Sequence, residues 1–231
     1  MNLLAIETAT ESCSVALWHR GQLIERSEIA PRRHAELVLP MAESLLAEAG
    51  LSRRALDGIA VGRGPGAFTG VRLAISVAQG MALGLDVPVV PVSSLAALAL
   101  DAPVNGAAIL ATIDARMGEV YVGTFRRETG DGLVELSSEV VGPADQIVLP
   151  HASSWNVIGS GWETYREALR LRLSSAPVWS DGARYPQASA IARLAVREFT
   201  AGHAVAPELA LPVYLRDKVA LTLAEQGRRP A

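Results

Sequence analysis

One pattern occurs twice in this chain and limits its fold more than any other feature. Residues 3–7 are a short apolar run closed by an acid, Glu7; a polar turn spans 8–12, and a second apolar alternation runs over Cys13–Trp18. In the second half, Ala108–Asp114 is again an apolar run closed by an acid, followed by the turn Ala115-Arg116-Met117-Gly118 and the run Glu119–Phe125. Apolar alternation marks strands, and two strands joined by a tight turn make a hairpin. A unit that returns in each half points to a duplicated architecture.

The remaining pattern fills in around the two hairpins. Leu23–Ile29 extends the first meander after the turn Gly21-Gln22, Pro31 breaks it, and His34–Ala49 has helical spacing with Gly50 as its stop. Asp57–Val61 reads as a strand entering the glycine-rich residues 62–70, followed by a helix over about Val71–Leu83 closed by Gly84. Val87–Val92 reads as a strand and Ser94–Leu100 as a short helix. The turn-forming residues 101–106 then look like a boundary. Beyond the second hairpin come strands at Glu135–Val141 and Asn156–Gly159 and helices at Trp162–Leu171 and Ala188–Thr200. Meanders mixed with crossover helices predict the α/β class, with one mixed sheet in residues 1–104 and another in 105–231.

Composition narrows what such a fold can do. Half of the residues are hydrophobic and 19% charged, enough to bury a core. The N-terminal run has no basic flank and meets Glu7 at once, so it reads as a first strand and not a leader. No uncharged segment reaches the roughly 18–20 residues that cross a bilayer, and a cytoplasmic location is expected. Cys13 is the only cysteine, which rules out an intrachain disulfide. Net charge is −3, with Lys218 the only lysine, and the close basic pairs are Arg32-Arg33, Arg53-Arg54, Arg126-Arg127 and Arg228-Arg229. That is no basic stripe, so binding of nucleic acid by the chain alone is not expected.

Few residues offer chemistry. The glycine loop GRGPGAFTG at 62–70 joins a strand to a helix, where free N–H groups can hold an anion, yet it fits neither the Rossmann spacing nor a Walker loop. It reads as a tight structural turn. His19, His34, His151 and His203 include no pair at helical metal-clamp spacing, and Ser160 lacks a nucleophile-elbow context. No catalytic residue and no metal set is assigned. In actin-like ATPases and sugar kinases the first hairpin holds ATP phosphates, which makes Glu7 and Thr8, with Asp114 from the second hairpin, the candidates for a nucleotide site. Ala9 weakens that candidacy, because its Cβ stands where a close backbone approach is needed.

The two long helices carry more information. On the first, Val38, Met41 and Leu45 form one apolar stripe and Leu39, Ala42, Leu46 and Ala49 another. The second has a single charge, Arg72, and apolar residues around most of its circumference, interrupted by Ser76, Gln79 and Gly80. A helix packed on one sheet needs one apolar stripe; one that is apolar all round is covered on two sides. A subunit interface is therefore predicted on these helices, formed by His34, Leu37, Val38, Met41, Leu45, Arg72, Ala74, Ile75, Ala78, Gln79 and Ala82, with the small residues Ala74, Ala78, Gly80 and Ala82 allowing a partner helix close approach. On this reading Ile75→Glu or Ala78→Arg blocks association and leaves the fold intact.

The stretches LLAIETATESCSVAL (3–17), GRGPGAFTGVRLAISVAQGMA (62–82), PVVPVSSLAALA (88–99), IDARMGEVY (113–121) and PVYLR (212–216) together resemble the TsaB family of bacterial tRNA threonylcarbamoyladenosine biosynthesis proteins. The resemblance implies an actin-like ATPase (ASKHA) fold of two ribonuclease-H-like domains. It implies a scaffold and activating subunit with no catalysis of its own, pairing with the paralogue TsaD and the ATPase TsaE. Those proteins together place a threonylcarbamoyl group on the adenosine beside the anticodon of ANN-decoding tRNAs. It further implies that the subunits meet through the two apolar helices, that a homodimer uses the same surface when the partner is missing, and that ATP or ADP is a candidate ligand only at the joint. The His-x-x-x-His metal site of TsaD-type proteins has no counterpart here. The competing readings are an ATP-dependent phosphotransferase or ATPase of the actin-like class and a glycopeptidase.

Overall fold

The structure is a computed structural model and describes residues 1–216. Lys218, Arg228 and Arg229 lie outside the described residues.

The first sheet begins with an antiparallel meander of β1 (Asn2–Glu7), β2 (Ser12–His19) and β3 (Gln22–Ile29). Helix α1 (His34–Glu48) then carries the chain across to β4 (Gly58–Gly62), and α2 (Phe68–Leu85) carries it on to β5 (Val89–Val92). Both β4 and β5 run parallel to β1, giving the order β3-β2-β1-β4-β5. After the short α3 (Ser94–Ala99) a second sheet repeats the plan. Its meander is β6 (Ala108–Arg116), β7 (Glu119–Arg127) and β8 (Leu133–Pro143); β9 (Trp155–Ile158) and β10 (Trp179–Asp181) are the parallel additions, joined by α4 (Ser160–Arg170). Its order is β10-β9-β6-β7-β8, the same arrangement read from the other edge. The sequence echo is thus a repeat of whole sheets, each a ribonuclease-H-like unit of the actin-like class. At the tip of the second hairpin Met117 and Gly118 take φ of 59° and 83°, as a two-residue hairpin turn requires.

Period-two alternation in β1 feeds two cores. Leu4 and Ile6 face α1 and α2 and pack with Val38, Ala42, Leu45, Ala74, Ile75 and Ala78. Leu3 and Ala5 face the other way, toward Ile191, Ala192 and Ala195 of α5 (Ala188–Thr200). Because both faces are covered, β1 reads as one continuous apolar run. The second sheet packs α4 on one face around Trp155 and Trp162, and α3 on the other through Leu95 and Leu98.

A division into residues 1–104 and 105–231 therefore needs correction. After β10 the chain crosses back, and α5 lies on the first sheet against β1, β2, β4 and β5, sharing its core with Ala97 and Leu100. Leu3, Ala5 and Ala16 are fully buried in that shared core beneath the returning helix. The layers run α1 with α2, first sheet, α5 with α3, second sheet, α4.

Helix ends differ in one place from expectation. Gly50, φ 64°, closes α1, with Leu51 N–H donating back to the Leu46 carbonyl. Gly84 does not close α2. The helix passes through it to Leu85, and Asp86 takes the left-handed turn, φ 56°, while Val87 N–H bonds the Ala82 carbonyl. It also starts earlier, drawing Phe68, Thr69 and Gly70 out of the glycine loop.

Candidate functional site

The first hairpin is sealed. Glu7 and Thr8 are fully buried. One carboxyl oxygen of Glu7 accepts the Ala9 N–H at 2.6 Å and the other accepts the Ser94 hydroxyl at 2.7 Å, which ties β1 to the start of α3. The Thr8 hydroxyl donates to the Gly70 carbonyl at 2.7 Å, and Ala67 N–H donates to the Ala9 carbonyl at 2.7 Å. The glycine loop lies against this hairpin. A Cβ at Gly62 would overlap the Glu7 carboxylate, one at Gly66 the Ala9 carbonyl, and one at Gly70 the Thr8 carbonyl. These glycines serve close backbone approach, where the sequence suggests only a tight turn.

Burial governs the charge of Glu7. Desolvation raises its pKa from 4.5 to about 7, against the smaller downward pull of the Ser94, Ala9 and Thr8 hydrogen bonds. Asp114, on the second hairpin, is part-buried and engaged: it accepts the Arg116 N–H at 2.8 Å, the Arg116 guanidinium at 2.9 Å and the Tyr165 hydroxyl at 3.0 Å. The three expected nucleotide residues are not brought together around an open space. Among the described residues no group of three His, Cys, Asp or Glu stands close enough to hold a metal ion.

The helix pair α1 and α2 presents a different picture. Among the residues expected at a partner interface, Val38, Leu45, Ala74, Ile75, Ala78 and Ala82 are buried inside the chain and form its core. They are corrected here from interface to core: their stripe is the inner one, facing the sheet. His34, Leu37, Met41 and Gln79 are half-buried, and only Arg72 is exposed. Gln79 is already used, donating to the Ala210 carbonyl at 3.2 Å; Arg72 stacks 3.7 Å over the Phe68 ring and donates to the Tyr214 hydroxyl at 2.6 Å.

Of the outer stripe of α2 the sequence singles out only Gly80. Ser76, Gly80 and Gly84 are exposed at successive four-residue steps, flanked by half-buried Leu73, Val77 and Met81 and by Leu83, which is 64% exposed. Around Gly80 and Gly84 a Cβ would meet nothing within 4 Å. On α1, Leu39, Pro40, Ser44 and Ala47 are exposed as well. The four-residue spacing of Ser76, Gly80 and Gly84 was the available signal, masked because the inner stripe is just as small and apolar. Helix α2 is also the one described helix long and apolar enough by composition to cross a membrane, but its inner face is committed to the sheet. Its outer face can accept a second helix at short distance.

Comparison with known proteins gives a consistent picture. The family model for TsaD, tRNA N6-adenosine threonylcarbamoyltransferase, matches residues 26–221. The Escherichia coli tRNA threonylcarbamoyladenosine biosynthesis protein TsaB is 42% identical over 95% of this chain and 96% of its own length. The Haemophilus influenzae protein of that name is 37% identical over 95% of both chains. A crystal structure from Pseudomonas aeruginosa, described as an uncharacterized protein with similarity to peptidase YeaZ, is 44% identical with a TM-score of 0.85, covering 93% of this chain and 99% of the other.

Proposed function

The chain belongs to the TsaB family, within the reach of the TsaD family model, and from that membership we propose that it serves tRNA threonylcarbamoyladenosine biosynthesis as a non-catalytic subunit. It acts in the cytoplasm by binding a TsaD-type catalytic paralogue and supporting transfer of the threonylcarbamoyl group to the adenosine next to the anticodon. TsaE joins the assembly, tRNA is met only within it, and ATP or ADP is bound at the joint and not by this subunit alone. A second copy occupies the same surface when the paralogue is absent.

The observation that carries this reading is the outer stripe of α2, where exposed Ser76, Gly80 and Gly84 form a row of small, uncharged residues beside Leu73, Val77 and Leu83. A solvated helix face normally carries charge; one lined by small residues fits a partner helix. The phosphotransferase reading finds the hairpin closed around Glu7 and Thr8, and the peptidase reading finds no nucleophile elbow at Ser160.

Gly80→Lys tests the proposal without touching the core. The position is helical and exposed, so exchanging glycine for a better helix former stabilises the monomer by about 0.5–1 kcal/mol while placing a long charged side chain in the small-residue stripe. In size-exclusion chromatography with a TsaD-type subunit, the wild-type chain co-elutes and the variant does not, although its melting temperature is equal or higher. Undiminished co-elution of Gly80→Lys refutes this surface.

A further inference from the structure

Where α5 returns to the first sheet it also borders the second, and a cavity of about 440 Å³ lies at that junction. Its wall is built from the end of β5, the start of α3, and parts of β7, β8 and α5. No residue of the hairpin turns at 8–12 or 115–118 lines it.

The polar wall carries both signs of charge, and they are not spent on each other. Arg63, which follows β4, has a fixed backbone: its N–H donates to the Val92 carbonyl at 2.8 Å and its carbonyl accepts the Val213 N–H at 2.9 Å. Its side chain lines the cavity, yet its Nε is buried and has no hydrogen-bond partner among the described residues. Glu139 of β8 is half-buried in the same wall and accepts the hydroxyl of Ser93, the residue that caps α3. Burial pushes the Glu139 carboxyl above its ordinary 4.5, while the Ser93 hydrogen bond and the nearby Arg63 charge pull it down. Arg63 is thus near enough to act on Glu139, but the two form no ion pair among the described residues. Two more carboxylates, Glu135 on β8 and Glu198 on α5, are exposed in the lining, and Glu198 bonds His203 at 2.7 Å. Phe125, Leu133 and Leu194 make the wall apolar elsewhere.

Buried polar atoms are nearly always paired, and a desolvated charge costs free energy until something completes it. A simple anion would satisfy Arg63 and be repelled by three carboxylates. A simple amine would satisfy the carboxylates and be repelled by Arg63. A molecule bearing one charge of each sign satisfies both. We propose that this cavity binds an α-amino acid with an apolar side chain. Its carboxylate accepts from the Arg63 guanidinium, its ammonium donates to Glu139, and its side chain lies on Phe125, Leu133 and Leu194. The volume is in the range of small-molecule sites. Nothing in this depends on the subunit reading, so it is tested on the full chain alone.

The experiment is calorimetric titration in phosphate buffer at pH 7. L-leucine and L-phenylalanine are each compared with the amine lacking the carboxylate and the acid lacking the ammonium (isopentylamine and 4-methylpentanoate; phenethylamine and 3-phenylpropanoate). The proteins are wild type, Glu139→Gln and Arg63→Met. Glutamine keeps an acceptor for Ser93, and methionine keeps an unbranched chain without the unpaired Nε, so both variants keep the wild-type circular dichroism spectrum. At least one amino acid binds the wild type in equimolar ratio, more tightly than about 1 mM and at least about tenfold more tightly than its own amine or acid. Each substitution weakens that binding at least about tenfold, the scale of a charge-assisted hydrogen bond. The proposal is overturned if neither amino acid binds more tightly than about 1 mM. An amine that binds as well as its amino acid reduces the site to a cation patch, an acid that does so reduces it to an anion patch, and either result overturns the proposal. Unweakened binding by either variant overturns it too.

Discussion

Exchanging Glu7 for glutamine converts the sealed hairpin into a measurable quantity. The folded state holds the carboxyl proton up to about pH 7, while the unfolded chain releases it near the ordinary value of 4.5. Below 4.5 the group is neutral in both states and costs nothing by ionising. Between 4.5 and 7 the unfolded state binds fewer protons, so stability falls as pH rises, and above 7 the full penalty applies. The distance between the two values corresponds to about 3 kcal/mol, a large share of the 5–15 kcal/mol typical of a domain. Glutamine keeps an acceptor for the Ala9 N–H and sets its amide against the Ser94 hydroxyl, which then accepts instead of donating. Burial also raises the carboxyls of Glu25, Asp101 and Glu139, and their contribution is common to both proteins. Urea unfolding of both chains from pH 5 to pH 8 therefore isolates Glu7. Glu7→Gln gains on wild type as pH rises and is the more stable protein at pH 8 by about 1–3 kcal/mol once hydrogen-bond rearrangement is subtracted. A stability difference that stays flat across that range refutes the reasoning.

Three further outcomes follow from the packing. Gly70→Ala drives a methyl into the Thr8 carbonyl and lowers stability by about 1–3 kcal/mol in denaturant titration; an unchanged midpoint means the loop does not bear on the hairpin. Ile75→Glu places a charge in the core under α2, not on a partner surface, so it costs about 3–5 kcal/mol and yields aggregated or unfolded protein by circular dichroism; a well-folded monomer would return Ile75 to the outside. The thiol of Cys13 is buried, and desolvation together with Glu28 raises its pKa to about 11. A thiol reagent should then react only as the chain unfolds in urea, and immediate reaction in native buffer contradicts that burial.

Much of the architecture was legible because its signals are local. The acid-ended strand, turn and strand at 3–18 and again at 108–125 reports hairpin geometry directly, and both became the centre of a sheet. Less legible was anything set by distant parts of the chain. The return of α5 to the first sheet could not be read from Ala188–Thr200, whose amphipathic pattern says only that one face is buried and not against which sheet. Six of the interface candidates, Val38, Leu45, Ala74, Ile75, Ala78 and Ala82, fell in the core for a related reason. On α2 both stripes are small and apolar, and periodicity does not say which of Ala74-Ala78-Ala82 or Ser76-Gly80-Gly84 meets the sheet. Asp86 closed α2 in place of Gly84 because a left-handed residue there lets Val87 N–H reach Ala82, an arrangement fixed by where β5 must begin. Asn and Asp tolerate that conformation, so the glycine preference misled.

The path of α5 has a practical side. Any split of the gene near codon 104 yields two fragments that each lack something the other holds: the first has a sheet with one face covered only in part, by α3, and the second carries α5, the helix that completes the cover. Neither piece has a complete interior, so each should be insoluble when produced alone, and mixing them should restore a native particle without any covalent link. If that reassembly is observed, its occurrence can report proximity for whatever is fused to the cut ends.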